Sequence, residues 1–174
     1  MEIDMKKIIL LSKTLLGWLI LFQCNAAGQT LTSNFKQNQV YLELGGCGLT
    51  YTINYERLLT ENFALRGGIG VTPGWIFFDG TIFTIPITGS YLIGEGSSKL
   101  ELGLGATYLT TTDIDIFGLP AGSASLVAFD GIIGYRGGRP QGGFIFRIAF
   151  SPMYSPEFDP EFVPYGLISF GFSF

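Results

Sequence analysis

The chain has 174 residues, with 10 basic and 14 acidic side chains, no histidine, and only 14% of its positions charged. An acidic balance without clustered cations excludes a nucleic-acid footprint. The absence of histidine, with only two cysteines, excludes a zinc centre of the usual kind. Low charge together with 25 Gly and 15% aromatic residues is odd for a soluble domain and suits a barrel wall.

Residues 1–26 have the order of a secretory signal peptide. Lys6, Lys7 and Lys13 form a basic flank, Leu15 to Phe22 a short apolar run, and Ala26, Ala27 and Gly28 a small-residue cleavage region. The run is too short to span a bilayer as a helix, which takes about 20 residues. Cleavage is therefore expected. Cys24 ends the run, but Phe22 and Gln23 before it are too large for lipoprotein processing. Once Cys24 leaves with the leader, Cys47 has no partner for an internal disulfide. Residues 27–38 are mostly polar and read as a short periplasmic lead-in.

From residue 39 to 174, segments alternating between apolar and small or polar residues recur between turn signals. About eight strands are expected, at 39–46, 49–58, 63–73, 81–93, 99–110, 125–137, 143–152 and 164–174. Short links at Leu59–Asn62, Gly94–Ser98 and Gly138–Gly142 alternate with longer ones at Pro73–Gly80, Thr111–Ala124 and Pro152–Val163. That alternation is expected of tight periplasmic turns and extended outer loops. The link near Gly45–Gly48 is the exception, being very short. The fold expected is all-β: a closed, antiparallel, up-and-down transmembrane barrel with both termini periplasmic.

Side chains alternate across a strand, so parity sorts the two faces. Leu100, Leu102, Leu104, Ala106 and Tyr108 oppose Glu101, Gly103, Gly105 and Thr107. The same rule places Glu43, Asn54, Glu56, Arg66, Glu101, Asp130, Arg136 and Arg147 inside, with Thr84 and Thr88. An eight-stranded barrel is only wide enough for side chains to fill, so these groups are expected to pair as an internal polar network. Pro86 is the inward misfit, because it removes a ladder hydrogen bond. Outward aromatics sort by height: Tyr55, Phe63, Tyr91, Tyr135, Phe144 and Phe174 near the periplasmic ends, and Tyr51, Trp75 and Tyr108 near the outer ends. These are candidate interface girdles.

The last strand is the most distinctive. Ile168, Phe170, Phe172 and the terminal Phe174 share one face, and Ser169, Gly171 and Ser173 the other. With Asn54-Tyr55-Glu56-Arg57 and Leu65-Arg66-Gly67-Gly68-Ile69-Gly70, this segment resembles the small eight-stranded outer-membrane barrels of Gram-negative bacteria. That architecture is shared by the transmembrane domain of the outer membrane protein A superfamily. The resemblance covers roughly residues 39–174. It implies an outer-membrane location, contact with membrane lipid and lipopolysaccharide, and recognition of Phe170, Phe172 and Phe174 by the barrel assembly machinery. No appended peptidoglycan-binding domain is expected after Phe174.

Several barrels of this kind are enzymes that use histidine as base, and this chain has none, so no catalytic residues are assigned. Asp113 and Asp115 could open a calcium loop, but Phe117 and Ala124 occupy ligand positions, and no metal or cofactor site is assigned. Glu157, Asp159 and Glu161 read as solvated loop charge, able at most to bridge divalent cations to lipopolysaccharide phosphates. The function expected is a non-enzymatic, monomeric envelope protein with a structural or surface-interaction role. In that reading the aromatic loop residues Trp75, Phe77, Phe78, Phe117, Phe158 and Phe162 contact a partner or the lipid surface. The alternatives are a narrow solute channel past Glu43, Arg66, Glu101 and Arg147, or a soluble lipocalin-like barrel whose apolar face points inward around a lipid.

Overall fold

The computed structural model describes residues 35–74, 81–112 and 125–174. The leader at 1–26, most of the lead-in, and the loop residues Trp75, Phe77, Phe78, Asp79, Asp113, Asp115, Phe117 and Ala124 lie outside the described residues.

Strict alternation with few turn breakers dictates long strands. Among the described residues ten strands form: β1 (Asn38–Gly45), β2 (Tyr51–Leu58), β3 (Phe63–Thr72), β4 (Thr81–Ile93), β5 (Ser98–Thr112), β6 (Ser125–Gly138), β7 (Gly143–Phe150), β8 (Met153–Tyr154), β9 (Phe162–Val163) and β10 (Gly166–Ser173). Eight of them close an antiparallel ring. Each long strand pairs with its neighbour in sequence, and β10 pairs with both β7 and β1, the last from Gln39↔Ser173 to Gly45↔Leu167. Among the described residues, closure leaves every long strand with a neighbour on both sides.

The two dipeptide strands were not anticipated, because 152–163 reads as a plain loop. β6 overhangs β7, whose pairing with it ends at Ile133↔Phe150. The chain then swings out at Ser151–Pro152 and returns, so that β8 pairs with β6 at Phe129↔Tyr154 and Asp130↔Met153 while β9 folds onto β8. A small ribbon thus stands on the barrel's far end.

Register agrees with parity. Buried and exposed positions alternate without a break along β2 and through most of β3 and β4. The outer wall carries Ile69 (72% exposed), Leu104 (77%), Phe144 (63%) and Phe172 (59%), while the lumen holds the charges. A soluble lipid-binding barrel needs the reverse, so the lipocalin-like alternative is overturned. Pro86 points into the lumen, and its missing donor falls on the β3 side: the β3–β4 register runs from Gly67↔Ile87 to Gly70↔Thr84, whereas β5 still pairs at Pro86↔Thr107.

Small residues let the wall close around crowded contents. A Cβ on Gly68 would come within 2.3 Å of Asn54 Oδ1, so any larger residue would have to displace that side chain. The β1–β2 link is tighter still. Gly45 and Gly46 take positive φ of 78° and 71°, and a Cβ on Gly45 would lie 2.3 Å from the Gly166 carbonyl oxygen. This sharp reversal throws Gly46–Gly48 into a single 3₁₀ turn that folds inward and is wholly buried.

Candidate functional site

Three levels fill the lumen between the strands. The middle level is a chain of alternating charge. Glu56 pairs with Arg136, and Arg136 Nη1 reaches Glu101 Oε2 at 3.9 Å. Arg147 clamps Glu101 with two bonds, Nε to Oε2 at 2.9 Å and Nη2 to Oε1 at 2.6 Å, and donates from Nη1 to Glu43 Oε2 at 3.3 Å. Arg66 Nη1 completes the series on the same Glu43 oxygen at 2.8 Å. Three carboxylates and three guanidiniums therefore alternate across the lumen, drawn from β1, β2, β3, β5, β6 and β7.

Hydrogen bonds satisfy much of what remains, as buried ions require. Ser90 donates to Glu101 at 2.9 Å, Ser169 to Glu43 at 3.2 Å and Tyr41 to Glu56 at 3.2 Å. Arg66 Nη2 donates to Thr88 Oγ1 and to Cys47 Sγ, each at 3.0 Å. The Arg147 guanidinium also stacks over the Tyr41 ring, 4.8 Å from its centroid. Arg136 Nη2 also donates to the Gln39 side-chain carbonyl, and neither Gln39 nor Tyr41 is among the network residues expected from the sequence. The parity that places Glu43 inside also places these β1 residues inside, so the signal was present.

Asp130 stands apart. It accepts from Thr107 Oγ1 at 2.7 Å, but its Oδ1 has no hydrogen-bond partner, and no cation pairs with it among the described residues. Thus six of the eight expected lumen groups join in one chain of contacts, Asn54 bonds elsewhere, and this one carboxylate lacks a counter-charge. Asn54 is buried in the same space, donating to the Thr52 carbonyl at 3.4 Å. Replacing Asp130 with Asn preserves an acceptor for Thr107 and removes an unpaired buried charge. Asp130→Asn is expected to raise the unfolding free energy by about 1–2 kcal/mol in urea titrations of the folded barrel.

Above the charges, the inward-folded turn and an apolar layer close the far end. Thr84 donates to the Gly48 carbonyl at 3.2 Å, pinning the turn to β4. Leu49, Ile82, Leu109, Leu126, Ala128, Met153 and Phe158 then pack together, with Val163 and Tyr165 against them. Burial pushes the Tyr165 phenol above its usual pKa. Phe158 is only 5% exposed, so it anchors the ribbon and cannot be the partner-facing aromatic expected from the sequence. Phe162, at 53%, and Tyr154, at 44%, remain on the outside. Cys47 lies between the layers at 0% exposure. A maleimide is expected to leave Cys47 unmodified in the folded barrel and to label it only after unfolding, as mass spectrometry would read.

At the opposite end, where β1 begins and β10 finishes, Phe35 packs over Leu58, Ala64 and Leu92. Lys36 donates its amide to the Pro140 carbonyl at 2.7 Å, and Leu58 to the Gln37 carbonyl at 2.8 Å. The entering chain is thereby tied across part of this mouth. Beside it lies a half-open cavity of about 670 Å³. Phe170, Phe172 and Phe174 sit outside the lumen on the wall, with Phe146 5.4 Å and Phe144 6.4 Å from the Phe170 ring.

No protein-family model matches the chain, and no curated protein matches it. Among solved structures, it is similar to the N-terminal β-barrel domain of Pseudomonas aeruginosa OprF, with a TM-score of 0.59 and 17% identity over 80% of this chain and 99% of that one. It also aligns with Ail, the attachment invasion locus protein of Yersinia pestis, with a TM-score of 0.44 and 15% identity over 79% of this chain and 97% of that one. At such identities the likeness to OprF carries the fold: a closed eight-stranded barrel of the outer-membrane type.

Proposed function

From that barrel as premise, we propose that the protein is an integral outer-membrane scaffold whose far-end ribbon serves as its contact surface, without catalytic activity. One observation carries this reading: an apolar wall encloses a lumen of paired charges, the polarity a barrel needs when lipid is outside and its own side chains fill the inside. The termini then lie on the periplasmic side. The aromatic rings at 55, 63, 91, 135, 144 and 174 meet the inner lipid interface, and those at 51 and 108 the outer one. Phe170, Phe172 and Phe174 present the aromatic pattern read by the barrel assembly machinery.

The ribbon offers Tyr154 and Phe162 beside the exposed carboxylates Glu157, Asp159 and Glu161. Such a surface suits contact with lipopolysaccharide through bridging divalent cations, or with a protein partner. Lumen packing argues against conduction. A solute would have to part the Glu–Arg chain and then cross the apolar layer around Leu49 and Met153.

Membrane fractionation with heat-modifiability gels tests the proposal. A folded species in the outer membrane that migrates faster unboiled is expected. Recovery of a soluble periplasmic protein without detergent would overturn it. Planar-bilayer recordings are expected to show no unitary conductance, and steady channel openings would replace the scaffold reading with the channel one.

A further inference from the structure

Charge is distributed unevenly along the barrel. Of the seven cations among the described residues, Arg66, Arg136 and Arg147 are buried in the lumen network, and the other four, Lys36, Arg57, Lys99 and Arg139, lie at or near the end where β1 begins and β10 finishes. Three of those four, Lys36, Lys99 and Arg139, line the 670 Å³ cavity there against two acids, Glu61 and Glu95, while Arg136, already paired with Glu56, reaches its floor. The mouth therefore has more cations than acids, in a chain whose overall balance is −4. The far-end ribbon instead exposes three carboxylates and no cation.

The cavity has the build of a ligand site. Its size falls within the range of about 300–1,000 Å³ common for small-molecule pockets. Phe35, Leu58, Leu92 and Ile145 form an apolar wall, while Gln39, Arg136 and Ser173, all nearly buried, form a polar floor. Arg136 Nη1 is buried there with no hydrogen-bond partner among the described residues, 3.9 Å from Glu101 Oε2. At the mouth, Lys36, Lys99 and Arg139 make no ion pair among the described residues. Lys99 Nζ donates instead to the Glu61 carbonyl at 2.6 Å, which holds it at the rim.

We propose that this cup binds a short acidic peptide segment, its carboxylates meeting Lys36, Lys99 and Arg139 and one apolar side chain resting on Phe35 and Leu92. A peptide fits better than an acyl chain because the floor is polar and the mouth carries the Gln141 amide and the Asn62 side-chain carbonyl, whose nitrogen is held by the Leu92 carbonyl at 2.8 Å, to meet peptide N–H and C=O groups. A long apolar tail entering the cup would end against Gln39 and Arg136. That the ligand comes from the periplasm rests on the membrane orientation proposed above.

The full chain folded in detergent micelles, titrated with fluorescently labelled acetyl-Leu-Glu-Glu bearing a free carboxylate, provides the test. Saturable binding that weakens at least tenfold in Lys36→Glu/Arg139→Glu and falls with added salt is expected. Both residues are exposed and outside the lumen network, so the variant keeps its heat-modifiable fold. No saturable binding, equal binding of acetyl-Leu-Lys-Lys-amide, or no effect of the double substitution would overturn the site. Displacement of the peptide by decanoate at equal concentration would reassign it to lipid anions and overturn the peptide proposal. Orientation is read separately by Ser97→Cys, at the cup's mouth, with an impermeant maleimide on cells. Labelling only after outer-membrane permeabilisation is expected. Labelling of intact cells would reverse the orientation while leaving the binding result in micelles standing.

Discussion

Arg147→Met is expected to destabilise the folded barrel by about 3–5 kcal/mol, the cost of leaving a buried ion without its partner. Glu43 is not the reason, because Arg66 still holds it at 2.8 Å. Glu101 is. Its two close guanidinium bonds both come from Arg147, and its remaining cation, Arg136, is 3.9 Å away and already committed to Glu56. Removing the carboxylate's charge as well, in Arg147→Met/Glu101→Gln, should restore most of the loss, since desolvating a matched pair offsets much of its Coulomb gain. Urea titration followed by the unboiled gel shift measures both variants. A double variant as weak as the single one would show that Arg147 acts through packing on Tyr41, whose ring its guanidinium covers.

Leu104→Arg probes the other face. Leu104 stands near the middle of β5, outward and 77% exposed, where a soluble protein would accept arginine at little cost. In a bilayer the same side chain meets hydrocarbon, and a penalty of about 2–4 kcal/mol is expected at midplane depth. Ile93→Arg, at the end of β4 and so at the lipid interface in the proposed placement, should cost about 0–1 kcal/mol. The contrast between these two substitutions in lipid vesicles reads depth directly. Equal tolerance of both would place the wall in water.

Local periodicity explains how much of this architecture was legible in advance. Whether a residue faces lipid or lumen follows from counting by two along one strand, so the inward position of Glu43, Arg66, Glu101 and Arg147 needs no knowledge of their partners. The glycine-rich runs and serine faces of β3, β5 and β10 carry the same message, because a narrow lumen demands small inward residues. Strand ends were less legible. β7 stops at Phe150, not 152, because the ribbon takes over its pairing with β6. The ribbon itself left little trace, since two strands of two residues each have no period to detect.

The Gly45–Gly48 link shows the limit most clearly. Its brevity and glycines announce a tight reversal, yet nothing local says that the turn folds inward and stacks Cys47 on Arg66. That direction is set by space left over the charge network and by Thr84 on a strand far along the chain. Phe158 is similar: an aromatic residue in an acidic loop reads as exposed, and only the apolar layer of Ile82, Leu109 and Met153 beneath it explains its burial.

The sequence by itself therefore determined the barrel class, the two faces of each strand and the inward set of ionisable residues, because alternation, turn chemistry and the terminal aromatic strand are short-range properties of the chain. Tertiary structure alone decided which charges pair, which one goes unpaired, how the far end is sealed and where the basic cup forms. Those outcomes depend on ring closure, which brings Glu43 and Arg147, 104 positions apart, to 3.3 Å. No local pattern encodes a contact made only when the last strand meets the first.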